Sequence, residues 1–236
     1  MSQPSELLVE LKAISRSRAS FYSFLTRVFQ KELTKELISE LQTKSASLLE
    51  LQAMKDLGNK KLNEGYRVLD DYLSESSKRN LDDVHVELAM EYAGLFLGVW
   101  GSPSHPSESA YVGATKMSRE RDEVLKFYNS AGLIASEEFH EPEDHLAMEL
   151  QFMSFLSGET AKAIEAGDIR KAREIVERQE SFLEKHLGQW IGLLARDVLK
   201  TGRVDFYKGL CLIAAGFVEE DVKALSDLKK ELTSIV

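Results

Sequence analysis

One short segment, Glu141-Pro142-Glu143-Asp144-His145, concentrates ionisable side chains. Proline at a first helical position forgoes only a backbone N–H that would be unpaired anyway, and acids there face the positive end of the helix dipole. The simplest interpretation is a helix N-terminus, with Asp144 as the cap and His145 hydrogen-bonded to it. The segment nevertheless holds more ionisable groups than a cap requires, so it is the first place to look for function.

Metal binding is the enzymatic interpretation of the same segment. The run from His140 to His145 superficially resembles the His-Glu-x-x-His motif of zinc peptidases. Its second histidine, however, lies off the helical face of the first, and Pro142 would interrupt a helix carrying both. A metal-dependent helical enzyme stays as an alternative, since His145 and Glu149 could share a face. The residues available to it are His140, Glu141, Asp144, His145 and Glu149.

Common catalytic and nucleotide-binding motifs do not occur elsewhere in the sequence. There is no Gly-x-x-x-x-Gly-Lys-Ser/Thr loop, no Gly-x-Gly-x-x-Gly and no Gly-x-Ser-x-Gly nucleophile elbow. The single cysteine, Cys211, excludes an internal disulfide and a zinc ribbon, and its apolar neighbours predict that it is buried. We therefore predict no catalytic residue, no cofactor and no bound metal.

Hydrophobic residues recur at helical spacing along most of the chain, and only four prolines occur. This pattern predicts an all-α fold: a single-domain compact bundle of about ten helices spanning residues 1–236. The predicted helices are Ser5–Gln30, Leu33–Leu57, Leu62–Leu73, Asp82–Leu97, Ser118–Ala131, Pro142–Leu156, one capped by Asp168, Leu187–Leu199, Phe206–Ala215 and Glu219–Leu232.

A long segment, residues 98–111, interrupts the helical pattern. It is rich in glycine, proline and serine, which disfavour regular helix. Loops of this length with little structure of their own are usually functional or disordered. The two aromatic residues within it, Trp100 and Tyr111, argue against disorder. We therefore predict an ordered functional loop.

The composition is that of a soluble globular protein, with 43% hydrophobic and 29% charged residues and a formal net charge of −9. An acidic chain has no general electrostatic attraction for nucleic acid or anionic lipid, but it could attract a basic peptide. Residues 1–20 lack the apolar run of an export signal, and no run approaches the ~18 residues of a membrane span. We predict a cytoplasmic protein without stable membrane insertion.

Three segments, in this order and at this spacing, resemble one protein family. They are Glu91-Tyr92-Ala93-Gly94-Leu95-Phe96-Leu97-Gly98 leading into Pro103, Pro106 and Ser109-Ala110-Tyr111; the Glu141 to His145 segment followed by Leu150-Gln151-Phe152-Met153; and Phe182-Leu183-Glu184-Lys185-His186-Leu187-Gly188-Gln189-Trp190. They are similar to the TorD/DmsD family of redox-enzyme maturation chaperones, related more distantly to NarJ. The resemblance covers most of the chain and is strongest from about Leu81 to Trp190.

This resemblance implies an all-helical cytoplasmic protein with no catalysis of its own. Family members bind the twin-arginine signal peptide, or the apoprotein, of a molybdenum-dependent oxidoreductase and hold it back from export until its molybdopterin guanine dinucleotide cofactor is inserted. They occur as monomers or homodimers, some formed by domain exchange. The residues here that match the implied client-binding region are Tyr92, Leu95, Phe96, Trp100, Pro103, Pro106, Ser109, Tyr111, Glu141, Pro142, Glu143, Asp144 and His145.

The chemistry of a twin-arginine peptide agrees with that implication. Guanidinium groups need carboxylates that match their fork-shaped donors, and the apolar stretch beside them needs an apolar groove. The candidate carboxylates are Glu141, Glu143 and Asp144, and the candidate groove residues are Tyr92, Leu95, Phe96 and Trp100. We hypothesise that the loop and the acidic helix start face each other across this groove. On periodicity alone the stripe from Leu88 to Phe96 would be plain core, and a helical adaptor for another metalloenzyme remains open.

Overall fold

The computed structural model describes residues 4–43, 58–101, 104–112, 117–133 and 142–235. These residues form nine α-helices and one short 3-10 helix, Glu108–Ala110, with no β-strand among them, which confirms the all-α prediction. The helices are α1 Pro4–Phe29, α2 Lys35–Gln42, α3 Lys60–Ser76, α4 Leu81–Phe96, α5 Met117–Ser130, α6 Leu146–Glu165, α7 Ile169–Lys185, α8 Leu187–Thr201 and α9 Asp205–Ser234. In this part of the chain no helix has the length and apolarity that a bilayer crossing requires.

Several helices begin where a polar side chain satisfies their first backbone N–H groups. Asn59, Asn80 and Asp168 each accept a hydrogen bond from the first turn of the helix that follows. The Asp168 cap confirms a prediction. Helix α2 begins after Thr34, whose hydroxyl oxygen accepts from the Leu37 N–H. The rest of its predicted range, 44–57, lies outside the described residues.

Two predicted helix boundaries are wrong. The helix predicted from Pro142 begins only at Leu146, because the residues before it pair with a loop, and it continues to Glu165. The last two predicted helices form the single helix α9, which passes through Gly216 without a break.

Helix α9 packs closely on α3 through three glycines, Gly65, Gly209 and Gly216, which we call the glycine seam. A Cβ atom on Gly65 would lie 2.8 Å from the backbone oxygen of Gly209, and one on Gly216 would lie 2.6 Å from the backbone nitrogen of Leu62. Two backbones can approach this closely only where side chains are absent. Gly216 therefore serves packing, which is why it does not end the helix.

A buried polar cluster ties α1 to α7 and α9. Arg18 donates from Nε to Asp221 Oδ1 at 2.5 Å and from Nη2 to Asp221 Oδ2 at 2.9 Å. The Tyr22 hydroxyl also donates to Asp221 Oδ2, and Arg18 Nη2 reaches the Gln179 side-chain oxygen. Both oxygens of this buried carboxylate are thus paired, and its charge is matched by a guanidinium. We call Arg18, Tyr22, Gln179 and Asp221 the closed cluster.

Candidate functional site

The loop before α5 pairs directly with the start of α6. Ser107 and His145 form an isolated antiparallel bridge, the Glu108 N–H donates to the Asp144 carbonyl at 3.0 Å, and the Leu146 N–H donates to the Pro106 carbonyl at 2.8 Å. The loop and the acidic helix start therefore touch along their backbones. The hypothesis that they face each other across a groove is wrong, because the space between them is taken up by these hydrogen bonds.

Asp144 and His145 make different hydrogen bonds at the junction where the loop meets α6. Asp144 Oδ2 accepts from the Ser109 N–H at 2.9 Å, so this carboxylate fastens the loop. His145 is the cap of α6, since its Nδ1 accepts from the Ala147 N–H at 3.1 Å. An accepting Nδ1 carries no proton, so the ring proton of His145 lies on Nε2. The predicted cap, Asp144, is thus replaced by its neighbour because Asp144 is engaged by the loop.

Behind the junction lies a second buried polar group, formed by Glu108, Asp144, Glu149 and His186, which we call the open cluster. His186 Nδ1 lies 3.0 Å from Glu108 Oε2, and the Trp190 indole N–H donates to Glu149 Oε2 at 3.1 Å. All four members are buried. Among the described residues, Asp144 Oδ1 and Glu149 Oε1 have no hydrogen-bond partner.

Burial and neighbouring charges both act on Glu149 in the open cluster. Burial raises the pKa of Glu149 well above its ordinary value of 4.5, and the charges of Glu108 and Asp144 raise it further against the opposing effect of the Trp190 hydrogen bond. The nearby Glu108 side chain thus acts in the same direction as burial on the pKa of Glu149. Burial, together with the same carboxylates, raises the pKa of the Tyr128 hydroxyl. The protonated form of Glu149 is thus favoured over its usual balance, close to where the loop meets α6.

The loop contacts α8 at two points, through its last residue, Tyr111, and through Ser104. Tyr111 stacks on Trp190, with ring centroids 5.7 Å apart and planes 20° from parallel. The Ser104 and Thr201 hydroxyl oxygens lie 3.0 Å apart. These contacts agree with the argument from the aromatics against disorder, and a function for the loop stays a prediction.

Trp100, at the start of the loop, packs between Arg203 and the backbone of α4. The Arg203 guanidinium lies 3.8 Å from the centroid of its ring. A Cβ atom on Gly94 would lie 2.2 Å from the same ring, so the indole packs on the bare backbone of α4. Glu91 Oε1 accepts from the Arg203 and Val204 N–H groups, which holds the residues before α9 against α4.

The predicted groove residues on α4 lie in the core. Tyr92, Leu95 and Phe96 are all buried. The Tyr92 hydroxyl donates to the Phe29 carbonyl, and Phe96 packs edge-on against Phe29. In this conformation they offer no surface to a peptide, because the face of α4 that carries them packs inward. The alternative reading of this stripe as core is the one that the structure supports.

A different face of α4 is apolar and exposed. Val86, Met90 and Leu97 lie within a narrow arc of the helix surface and are 55%, 63% and 57% exposed, and Val99 beyond them is 70% exposed. Half of the large exposed hydrophobic side chains in the described residues belong to this set. We call these four residues the outer stripe. The sequence signal for it was the second apolar periodicity of α4, hidden beneath the stronger core pattern.

Of the two carboxylates of the motif that the structure describes, Glu143 and Asp144, only Glu143 is accessible. Its Oε2 accepts from Arg121 Nε at 2.8 Å and from Arg121 Nη2 at 2.6 Å. Burial alone would raise the pKa of Glu143, but hydrogen bonds from its own backbone and from Arg121 outweigh it and lower the pKa. Pro142 is half-buried, and its carbonyl accepts from the His145 N–H. The remaining predicted site residues, Pro103 and Glu141, lie outside the described residues.

No group of three or more His, Cys, Asp and Glu side chains in the described part of the chain has the geometry to hold a metal ion. Two members of the suggested metal site, His140 and Glu141, lie outside that part. Glu149, a third member, is directed to Trp190 instead. The residues that sequence reasoning missed are Glu108, Arg121 and Arg203, none of which stands in a local motif.

Residues 57–196, more than half of the chain, match the protein-family model described as nitrate reductase delta subunit. Three similar relatives are each named chaperone protein TorD. The relative from Vibrio cholerae is 25% identical over 229 residues, covering 95% of this chain and 99% of its own. That from Shewanella pealeana is 26% identical over 227 residues, covering 92% and 93%. That from Vibrio parahaemolyticus is 27% identical over 216 residues, covering 90% and 96%.

These findings confirm the resemblance drawn from the three sequence segments. Because the relatives are named as chaperones, they also confirm the prediction that the chain is not an enzyme. The chain belongs to the nitrate reductase delta subunit family and is a TorD-type redox-enzyme maturation chaperone.

Proposed function

We propose that this chain is a cytoplasmic, system-specific chaperone that binds the twin-arginine signal peptide of a molybdenum-cofactor oxidoreductase and assists its maturation before export. The observation that carries the proposal is the Glu143 carboxylate, which is partly exposed at the start of α6 and accepts two hydrogen bonds from a guanidinium. Arginine is the natural partner of such a carboxylate, because its planar fork matches the carboxylate oxygens.

The outer stripe is the candidate surface for the apolar part of the signal peptide. It ends at Val99, where the loop begins, and the loop leads to Asp144. A peptide lying along the loop would meet an apolar surface toward one end and Glu143 toward the other. Exposed apolar side chains in one contiguous stripe are uncommon on proteins without a binding partner. This assignment moves the apolar contact from the buried Tyr92, Leu95 and Phe96 to side chains that a peptide can reach.

Asp144 and His145 support the site from within. Both are buried and hold the loop against α6, so we expect their loss to disturb the junction as well as client binding. Glu143 is the sharper position for a test, since its side chain reaches solvent.

A binding assay with a dye-labelled synthetic peptide tests the proposal. The peptide carries two consecutive arginines followed by an apolar stretch, and its matched version carries two lysines. We expect the arginine peptide to bind more tightly, and Glu143→Gln to weaken its binding about tenfold, as the loss of a charge-assisted hydrogen bond predicts. The control is Glu123→Gln, which removes the partner of Arg119 on α5. Equal binding of both peptides, unchanged by Glu143→Gln, would favour an adaptor for another client.

A pull-down with the tagged full-length protein identifies the client. Wild-type protein should retain a molybdoenzyme catalytic subunit that still carries its leader, and Glu143→Gln should retain less of it. Recovery of unrelated proteins only would contradict the proposal.

A further inference from the structure

The Glu143 site already contains a guanidinium, supplied by the chain itself. Arg121, on α5, donates both Nε and Nη2 to one oxygen of Glu143. Its side chain is 46% exposed, and that of Glu143 is 27% exposed. The pair joins two elements that are 22 positions apart in sequence. It therefore differs from the many pairs on this surface that link neighbours within one helix.

The backbone that carries the Glu143 carboxylate is held in place without help from Arg121. The backbone carbonyl of Glu143 accepts from the Tyr128 hydroxyl at 2.9 Å, and the next residue, Asp144, is fastened to the Ser109 N–H. Both contacts hold the backbone that carries Glu143. If Arg121 moved away, this backbone would stay in place, and the Glu143 carboxylate would keep the hydrogen bond from its own backbone.

Asp144, the residue next to Glu143, adds negative charge beside this contact. It is fully buried, and its Oδ1 has no hydrogen-bond partner among the described residues. Its charge also acts on Arg121: the hydrogen bond to Glu143 raises the pKa of the Arg121 guanidinium against burial, and the charges of Glu143 and Asp144 add to this effect. Asp144 thus favours a guanidinium at Glu143 through its charge, while it is itself buried and out of reach of a ligand.

We propose that Arg121 occupies, in cis, the subsite that an arginine of the client takes, so that client binding requires Arg121 to swing out. This inference rests on the proposed function for the identity of the competitor, but the existence of the subsite can be tested without any client. Arg121 then acts as an internal pseudo-ligand, which keeps the Glu143 carboxylate paired until a better-placed guanidinium arrives.

Replacing Arg121 by an arginine of the client costs the folded protein little free energy. Partly exposed ion pairs contribute at most about 1 kcal/mol, and the released Arg121 side chain is already close to solvent. A competitor of that strength lowers the apparent affinity of the incoming arginine by about fivefold. A lysine competes less well than arginine, because it cannot form the two-pronged contact.

The first test needs no client and uses methylguanidinium as the probe. In full-length Arg121→Ala, the vacated subsite should bind methylguanidinium, which should raise the thermal unfolding temperature more than methylammonium does. Arg119→Ala is the matched control, because it removes an exposed arginine from the same helix and leaves Glu123 without its partner. Adding Glu143→Gln to Arg121→Ala should abolish the response. Equal responses of the Arg121→Ala and Arg119→Ala proteins would overturn the proposal.

The second test measures competition with the synthetic twin-arginine peptide. Arg121→Ala should tighten its binding about fivefold, and Arg119→Ala should leave the affinity within twofold of wild type. Peptide binding that is equal in wild type and Arg121→Ala would overturn the competition and leave the proposed function standing. No peptide binding in either protein would overturn the proposed function as well, even where methylguanidinium binds.

Discussion

The closed and open clusters are two buried polar groups with opposite electrostatic balance. In the closed cluster, Asp221 has both oxygens paired and lies against Arg18, which leaves only one guanidinium nitrogen, Nη1, without a partner. The open cluster contains three carboxylates and one histidine, which contacts only Glu108 of the three, and two carboxylate oxygens have no hydrogen-bond partner among the described residues. The first arrangement is what stable packing requires, and the second is not.

The two clusters thus differ in role: the closed cluster stabilises the packing of helices, whereas the open cluster lies at the candidate binding site. A fully paired buried ion pair fixes how helices fit together and offers nothing to a ligand. A carboxylate group that is short of positive charge stores repulsion, which protonation of Glu149 relieves only in part. Such a group attracts further positive charge, and it lies directly behind the accessible Glu143. Perturbed acids of this kind are concentrated at functional sites.

The largest expected difference is between the two buried aspartates. Asp221→Ala leaves Arg18 as an uncompensated buried charge and should lower the free energy of unfolding by about 3–5 kcal/mol. Asp144→Ala leaves one buried N–H, that of Ser109, without its acceptor and also removes repulsion, so we expect a loss of at most about 1–3 kcal/mol. Urea unfolding of both variants at pH 7 measures the difference. Equal losses would mean that the two clusters do not differ in kind.

We expect a smaller change in the free energy of unfolding from substitutions where the loop packs on α4. Gly94→Ala would place its Cβ 2.2 Å from the Trp100 ring and should cost about 1–3 kcal/mol through displacement of the indole. Gly158→Ala, inside α6, is the control: its Cβ meets nothing within 4 Å, and we expect a gain of about 0.5–1 kcal/mol. Thermal unfolding distinguishes the two. A similar gain in both variants would show that the loop does not depend on this packing.

The last prediction concerns how the free energy of unfolding changes with pH. Because the pKa of Glu149 is raised in the folded protein by burial and by Glu108, the folded chain binds more protons than the unfolded chain as the pH rises above 4.5. The free energy of unfolding should then fall with pH, by at most about 1.4 kcal/mol per pH unit from this group. Glu149→Gln should flatten the curve.

The control for this measurement is Glu165→Gln. Hydrogen bonds and charges from Lys12 and Arg16 lower the pKa of that exposed group, so its own small contribution is lost as the pH falls. Parallel curves for wild type and Glu149→Gln would rule out a buried proton in the open cluster.

Much of the fold could be predicted because each helix leaves a periodic hydrophobic pattern in the local sequence. The period of Val84, Leu88, Tyr92 and Leu95 predicts α4, and all four side chains are buried. The break predicted in α9 fails for a tertiary reason: a glycine that looks like a helix end in sequence is required by the close approach of α3. No local pattern contains that information.

The candidate site was predictable only where its residues are neighbours in sequence. The segment around Asp144 stands out through its charge density, but its partners come from far away: Glu108 meets His186 across 78 positions. On periodicity alone the stripe from Leu88 to Phe96 would be core, but the family resemblance assigned Tyr92, Leu95 and Phe96 to client binding. The inner face became the core, and the outer stripe was overlooked.

The glycine seam has a consequence for how the molecule opens. Where two helix backbones are in direct contact, no layer of side chains can rearrange to let one helix leave alone, so α3 and α9 should open as a single cooperative unit. Their slowest amide hydrogens should then exchange with one common free energy, close to that of global unfolding. The residues just before α9 hold Trp100 and the start of the loop. They are therefore attached to the part of the protein that we expect to unfold last.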